Sequence, residues 1–512
     1  MTALRGVVGR DYVLVGEQPP ILNKIDWRDV PIPFKLYRGC RSVAPTGELG
    51  HMLRDIYGIT RQRWTAPDSF TRIMGLASTV LGARFTSSLL RSVPSGGALY
   101  PSELYVVVGA RQSVPSGVYH YDASHHMLDV LAAGYPQKEL AVALGQAAPD
   151  RPALVLLLTT YFWKNAFKYG EFSYRLGCLD VGVLISQVLE VARNHGLDAH
   201  VHYQFLDQQL DDLLGLDYRQ ESVYAVVSLG ASTPGSEPSD LIGNDRAPSA
   251  HAPSVPASWS VESMELSGKL HDASRLIHPE SLVSRNSPPA IASVLPATIQ
   301  SLPLAEGTVD LADGIPRRRS AMGNFSPTLL TWQQLSSMVH AAVRGYSSDL
   351  AENSVAVRHT ALFCAVVDVH DVERGIYYCD PEHGTLKQVS RGDIRMDLQH
   401  TLVLNIFNLA GSGVCFVPAG NYDSGFDACG DRWYRIQNME AGVMVQRLHL
   451  AAAALGLGCR VNCGYSTDRI NRLLGLDELP VTGLAQVLVG AEVDPGHCYD
   501  AVLPADVEPQ PR

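Results

Sequence analysis

What this 512-residue chain lacks narrows its reading first. It has no apolar run long enough to span a bilayer, and its opening, MTALRGVVGRDYVLVGEQPP, lacks the apolar core of a signal peptide. A cytoplasmic location without a membrane partner is expected. It has no basic surplus either: 41 Lys and Arg against 52 Asp and Glu leave a formal charge of -11, spread evenly, so no nucleic-acid partner is expected. Cysteine is sparse, nine in all, odd in number and irregularly spaced, which points to reduced thiols and not to a disulfide framework. Cys459 and Cys463 stand four apart without a histidine pair. They read as strand and helix-end packing, and no metal site is expected. Charged residues are only 18% against 46% hydrophobic, the balance of a globular chain, and the length exceeds one ordinary core.

What is present is repetition. YRLGCLDVGVLISQVLEVARNHGLDAH at 174–200 is echoed by YRIQNMEAGVMVQRLHLAAAALGLGCR at 434–460, and LLGLD at 213–217 recurs at 473–477, both at an offset of 260. GVYHYD at 117–122 matches GIYYCD at 375–380, and IPFK at 32–35 and IPRR at 315–318 open the two halves alike. Matches in one order, all but the opening pair at nearly constant spacing, indicate two fused copies of one fold, an intramolecular pseudo-dimer. The expected division is a first copy over 1–230, a Ser/Pro-rich linker over 231–313 with one short helix in VESMELSGKLHDASRLI, and a second copy over 314–505. Each copy reads as α+β. LYVVVG and ALVLLLTTY have strand character, and CLDVGVLISQVLEVARNHG reads as a helix ending at Gly196. Being apolar on more than one face, that helix is expected between the copies.

The copies differ in three places. The first carries RSVPSGGALYPSELYVVVG, in which Arg91, Pro94, Ser95, Gly96 and Gly97 precede a strand; the second has ENSVAVRHTALFCAVVDV there. Small residues let backbone N–H groups approach a planar or anionic ligand, although the loop alone also suits an ordinary turn. The second copy opens with Arg317, Arg318, Arg319 and Ser320, where the first offers KLYRGCRS. Such a run can clamp a phosphate, or simply face solvent. Third, FKYGEFSYRLG places Lys168 beside Tyr169, where the 260 offset gives Ala428 and Cys429. An adjacent ammonium would lower the phenol's pKa and burial the lysine's own, so that either could take a proton near neutral pH; an exposed Lys-Tyr pair is the plain alternative. One composite site between the copies would account for both losses.

Together these motifs resemble the FMN-dependent nitroreductase superfamily, and within it the SagB-type azoline dehydrogenases. The carriers are Arg91 with PSGGALYPSELYVVV, SGVYHYDASHHMLDVL, KYGEFSYRLGCLDVG and the closing LLGLD…VSLG, across most of residues 30–230; the second copy resembles a degenerate nitroreductase domain. The resemblance implies an α+β sandwich dimer with FMN at the interface. The arginine run and Ser320 would come from one copy and the Ser95–Gly97 loop from the other, with Lys168-Tyr169 as the catalytic pair. It implies oxidation of peptide thiazolines or oxazolines to azoles with hydride to FMN, return of the electrons to dioxygen, and partnership with a cyclodehydratase complex. RGCRS at 38–42 offers a second clamp, but one facing a loop without glycines, so one FMN per chain is expected. A basic tail after the last strand, which some nitroreductases have, is missing from both copies. Two other readings stay open: an NAD(P)H-dependent flavin reductase of nitro compounds or quinones, and a flavin-free scaffold for a peptide-modifying complex.

Overall fold

A computed structural model describes residues 6–19, 25–37, 39–65, 86–109, 112–145, 152–230, 257–283, 290–291, 295–350, 359–493 and 498–503. In the first copy the strands run in the spatial order Ser42–Val43, Met127–Ala133, Gly117–Asp122, Ser102–Val108, Leu154–Tyr161, Glu221–Leu229 and Ala199–His202. Alternation sets the two faces. Leu104, Val106 and Val108 pack toward the long helix Ser173–Asn194, whereas Tyr105 and Val107 enter a separate cluster on the other face. The second copy repeats the pattern with Thr360–Val366 between Gly375–Asp380 and Val414–Gly420, and with its own long helix, Trp433–Ala454.

The two long helices cross at the centre of the molecule, buried on nearly every side because each lies between its own sheet and the other helix. Gly182 and Gly442, 260 residues apart like the rest of the repeat, meet there. A Cβ on Gly182 would fall on the Met439 carbonyl, and one on Gly442 on the Leu179 carbonyl. Only glycine permits this approach. Beyond Asn194 the helix closes through His195, and Gly196 follows in the left-handed region at φ +66°.

Each half also reaches into the other. Ser347–Ser348 of the second copy pairs in parallel with Ala199–His202, and Cys498–Val502 pairs with Ile59–Thr65 of the first copy. Conversely, the N-terminal helix Val7–Val15 lies on the second copy, with Arg10 bridging Asp423 and Asp427 at 3.0 and 2.9 Å. Buried Arg432 and Arg435 both grip Asp207, at 2.6 and 3.0 Å.

Of the expected linker, residues 231–256 lie outside the described residues. The short helix is present at Glu265–Ser274, but it is docked: Leu266 and Ser267 donate backbone N–H bonds to Glu171, and Leu270 and His271 are fully buried. Further on, Gln300–Pro303 pairs with Thr385–Arg391, so the second sheet begins inside the stretch that composition marks as linker. A short, exposed edge strand carries no apolar alternation by which to find it. The nine cysteines form no disulfide, and among the described residues no helix is long and apolar enough to cross a membrane.

Candidate functional site

Between the copies opens a cavity of about 570 Å³, the size of a small-molecule site. Its first-copy wall is the loop Pro94, Ser95, Gly96 and Gly97 with Leu176, Leu179, Asp180 and Val183 of the long helix. The second copy supplies Arg318, Ser320, Val445, Arg460, Asn462 and Cys463, and Val403, Leu404 and Ile406 form an exposed apolar lip.

The loop is shaped by one carboxylate. Ser95 Oγ donates to Asp180 Oδ2 at 2.6 Å and accepts from the Tyr100 N–H at 2.9 Å, while the Gly96 N–H points at the same carboxylate at 3.3 Å. Gly97 holds φ +65°, and a Cβ there would stand 2.6 Å from Tyr169 Oη and 3.0 Å from Lys168 Nζ. Backbone and neighbours therefore both favour glycine here. Burial pushes the Asp180 carboxyl up to about 7, against the hydrogen bonds from Ser95 and Gly96. Sequence reading passes over Asp180, since a lone Asp in an apolar helix gives no sign of what it faces.

Lys168 and Tyr169 end the helix Trp163–Tyr169, immediately after the strand Leu154–Tyr161. Both line the cavity, with the ammonium 5.1 Å from the Tyr169 ring centre. Burial lowers the Lys168 pKa, and among the described residues no carboxylate pairs with it. Tyr169 departs from expectation. Burial, and then the Asp180 charge, push its phenol up, so the neighbouring lysine does not make it a base. The pair thus divides into a lysine whose pKa burial lowers and a phenol whose pKa burial raises.

The basic run divides as well. Arg318 and Ser320, two apart, line the cavity; Arg317 is exposed, and Arg319 turns to Glu492 at 2.6 Å. Arg318, 4% exposed, donates through Nη2 to the carbonyls of Arg91 and Val93 at 2.6 and 3.2 Å, clasping the strand end that leads into the glycine loop. Arg91 itself does not line the cavity, because its guanidinium lies 3.9 Å from the Tyr57 ring centre. Arg460, which the sequence does not single out, lines the cavity as Arg318 does. Burial lowers both guanidinium pKa values to about 10, and the Nε of each is buried without a hydrogen-bond acceptor. Two buried guanidinium groups in the lining, apolar helix walls and a Cβ-free edge fit a flat ligand with an anionic tail; FMN is such a ligand.

Among the described residues, the pseudo-symmetric position is closed. Glu440 and Val443, counterparts of Asp180 and Val183, border a space of only about 40 Å³. Tyr346 Oη meets Tyr203 Oη at 2.7 Å, and Asp349 accepts the Tyr203 and Gln204 N–H groups, so the chain fills this place itself. Arg38 of the first-copy clamp and residues 351–358, opposite it in sequence, lie outside the described residues.

Known proteins resemble this chain to different extents. The nitroreductase family matches residues 59–231 and 315–490. The trifolitoxin-processing protein TfxB of Rhizobium leguminosarum bv. trifolii is 31% identical over 135 residues, 25% of this chain and 36% of that protein. The microcin B17-processing protein McbC of Escherichia coli is 29% identical over 139 residues, 26% of this chain and 51% of McbC. The chain thus spans about a third and a half of these two relatives. A crystal structure of a protein assigned as a nitroreductase, from Anabaena variabilis, superposes with a TM-score of 0.75 at 24% identity, covering 96% of this chain and 100% of that one. That likeness establishes the tandem fold.

Proposed function

Because the chain belongs to the nitroreductase family, in two tandem copies, we propose that it is an FMN-dependent dehydrogenase that oxidises peptide-borne thiazolines or oxazolines to azoles. The observation that carries this reading is the pairing of a desolvated Lys168 with a protonated Tyr169 against Gly97, inside a cavity of about 570 Å³ between the copies. Reduction of a nitro group or quinone needs no such base. Aromatising an azoline removes two electrons and two protons from the ring: a proton from the carbon alpha to the carbonyl, and a hydride from the neighbouring ring carbon. FMN, when bound, supplies the hydride acceptor and passes the electrons on to dioxygen.

Lys168 takes the alpha proton, for which it must first be neutral; burial makes that state accessible below the ordinary lysine range. Tyr169 remains a hydrogen-bond donor and offsets negative charge that develops on the substrate. Arg318, Arg460 and Ser320 would hold the flavin phosphate, and the Ser95–Gly97 loop, braced on Asp180, would lie along its edge. The exposed lip Val403, Leu404 and Ile406 leaves room for a peptide to stay outside while its ring enters. The microcin and trifolitoxin relatives, named for peptide processing, support a peptide substrate, and the resemblance to SagB-type dehydrogenases implies its delivery within a cyclodehydratase complex. The test is oxidation of an azoline-bearing peptide under air, followed by the loss of two mass units per ring. NAD(P)H oxidation without azole formation would transfer the protein to the reductase reading.

A further inference from the structure

The first copy contains a run of buried charges that the chemistry above leaves unused. Lys164 lies one turn before Lys168 on the same short helix. Its ammonium donates to the Tyr100 carbonyl at 3.1 Å and to Glu103 Oε1 at 2.6 Å. Glu103 lies 3.3 Å from His120 Nε2, whose other ring nitrogen lies 3.5 Å from Asp129. All four side chains are buried. Burial opposes the Glu103 charge, but Lys164 and His120 outweigh it and hold the carboxyl near 2.

The fold itself does not require these charges, because the second copy does without them. In the first sheet Glu103 faces Thr159 and Tyr105 faces His120; at the same register in the second, Ala361 faces Ala419 and Phe363 faces Tyr378. Ser424 stands where the 260 offset places Lys164. The charges accompany the copy that carries Lys168 and Tyr169. Their geometry explains why: the Tyr100 carbonyl closes the glycine loop, while Lys164 rides on the helix that presents the pair. One ammonium therefore ties together the two pieces whose separation sets the 2.6 and 3.0 Å clearances at Gly97.

We propose that Lys164, held by Glu103, is a positioning residue that fixes the Lys168–Tyr169 helix against the Ser95–Tyr100 loop. The inference rests on the function above for the role of Lys168, and its test separates the two. In Lys164→Met and the charge-neutral Glu103→Gln/Lys164→Met, the acetylation rate of Lys168 by acetic anhydride is compared by peptide mass spectrometry with that of exposed Lys269. Removing a buried pair together spares stability better than removing one partner, so the double variant is the informative one. Should it not fold, Glu103→Ala/Lys164→Ser copies the residues of the second copy. The expected result is a severalfold change in Lys168 labelling relative to Lys269 in the folded variant, with azoline turnover down roughly tenfold or more at unchanged KM. Unchanged Lys168 labelling in a folded variant would overturn the proposal. If the wild-type protein oxidises no azoline, the functional reading falls, and the labelling still decides the role of Lys164.

Discussion

Two positions related by the pseudo-twofold of one chain have met opposite fates: one is a cavity of about 570 Å³, the other a remnant of about 40 Å³. The helices that border them are equivalent, with Asp180 and Val183 answering to Glu440 and Val443. What differs is the segment after the preceding helix. In the first copy Ile59–Thr65 is held in a separate small sheet by Thr86–Arg91 and Cys498–Val502. In the second copy Ser347–Ser348 crosses to the first sheet, and Tyr346 is driven onto Tyr203. The cation is lost too. Lys35, the sequence counterpart of Arg318, is turned inward onto Glu221 at 2.6 Å. The duplication thus keeps one interface open as a cavity and uses the other to hold the halves together.

The largest expected effect comes from making the first copy resemble the second. Lys168→Ala, which installs the residue found at 428, should lower azoline turnover by about 10²–10⁴-fold with flavin still bound, read by steady-state kinetics and absorbance. In the wild type, turnover should rise with pH as Lys168 loses its proton, at a pH below the ordinary lysine value because burial disfavours its charge. Next, Gly97→Val forces a branched side chain into φ +65° and onto Tyr169, costing about 1–2 kcal/mol in backbone strain before any clash, and should strip FMN from the purified protein. The smallest effect sharpens the comparison at the closed position. Burial pushes the Glu440 carboxyl up to about 8, so the folded state holds a proton that the unfolded chain releases near 4. Wild-type stability should fall by at most about 1.4 kcal/mol per pH unit as pH rises between those values, and Glu440→Gln should remove that slope in thermal melts, with little effect at pH 4.

Much of this was legible beforehand. The constant offset revealed the duplication, and the small loop, the arginine run and the Lys-Tyr pair marked residues that do meet in one cavity. Three things were not legible, each for a physical reason. A run of arginines does not say which of them faces inward, and here Arg318 does while Arg317 and Arg319 do not. Arg460 and Asp180 reach the site only through the docking of two helices and a strand whose local sequence is apolar. And adjacency suggested that the lysine would acidify the tyrosine, whereas burial, a tertiary quantity, moved the phenol the other way.

The central claim is that one composite site survives between the copies. Its most direct test is the FMN content per chain of the purified protein, before and after Arg318→Ala. The account predicts one FMN per chain, bound more weakly or lost when the Arg318 guanidinium is removed. Two per chain, or none even after incubation with FMN, would contradict it.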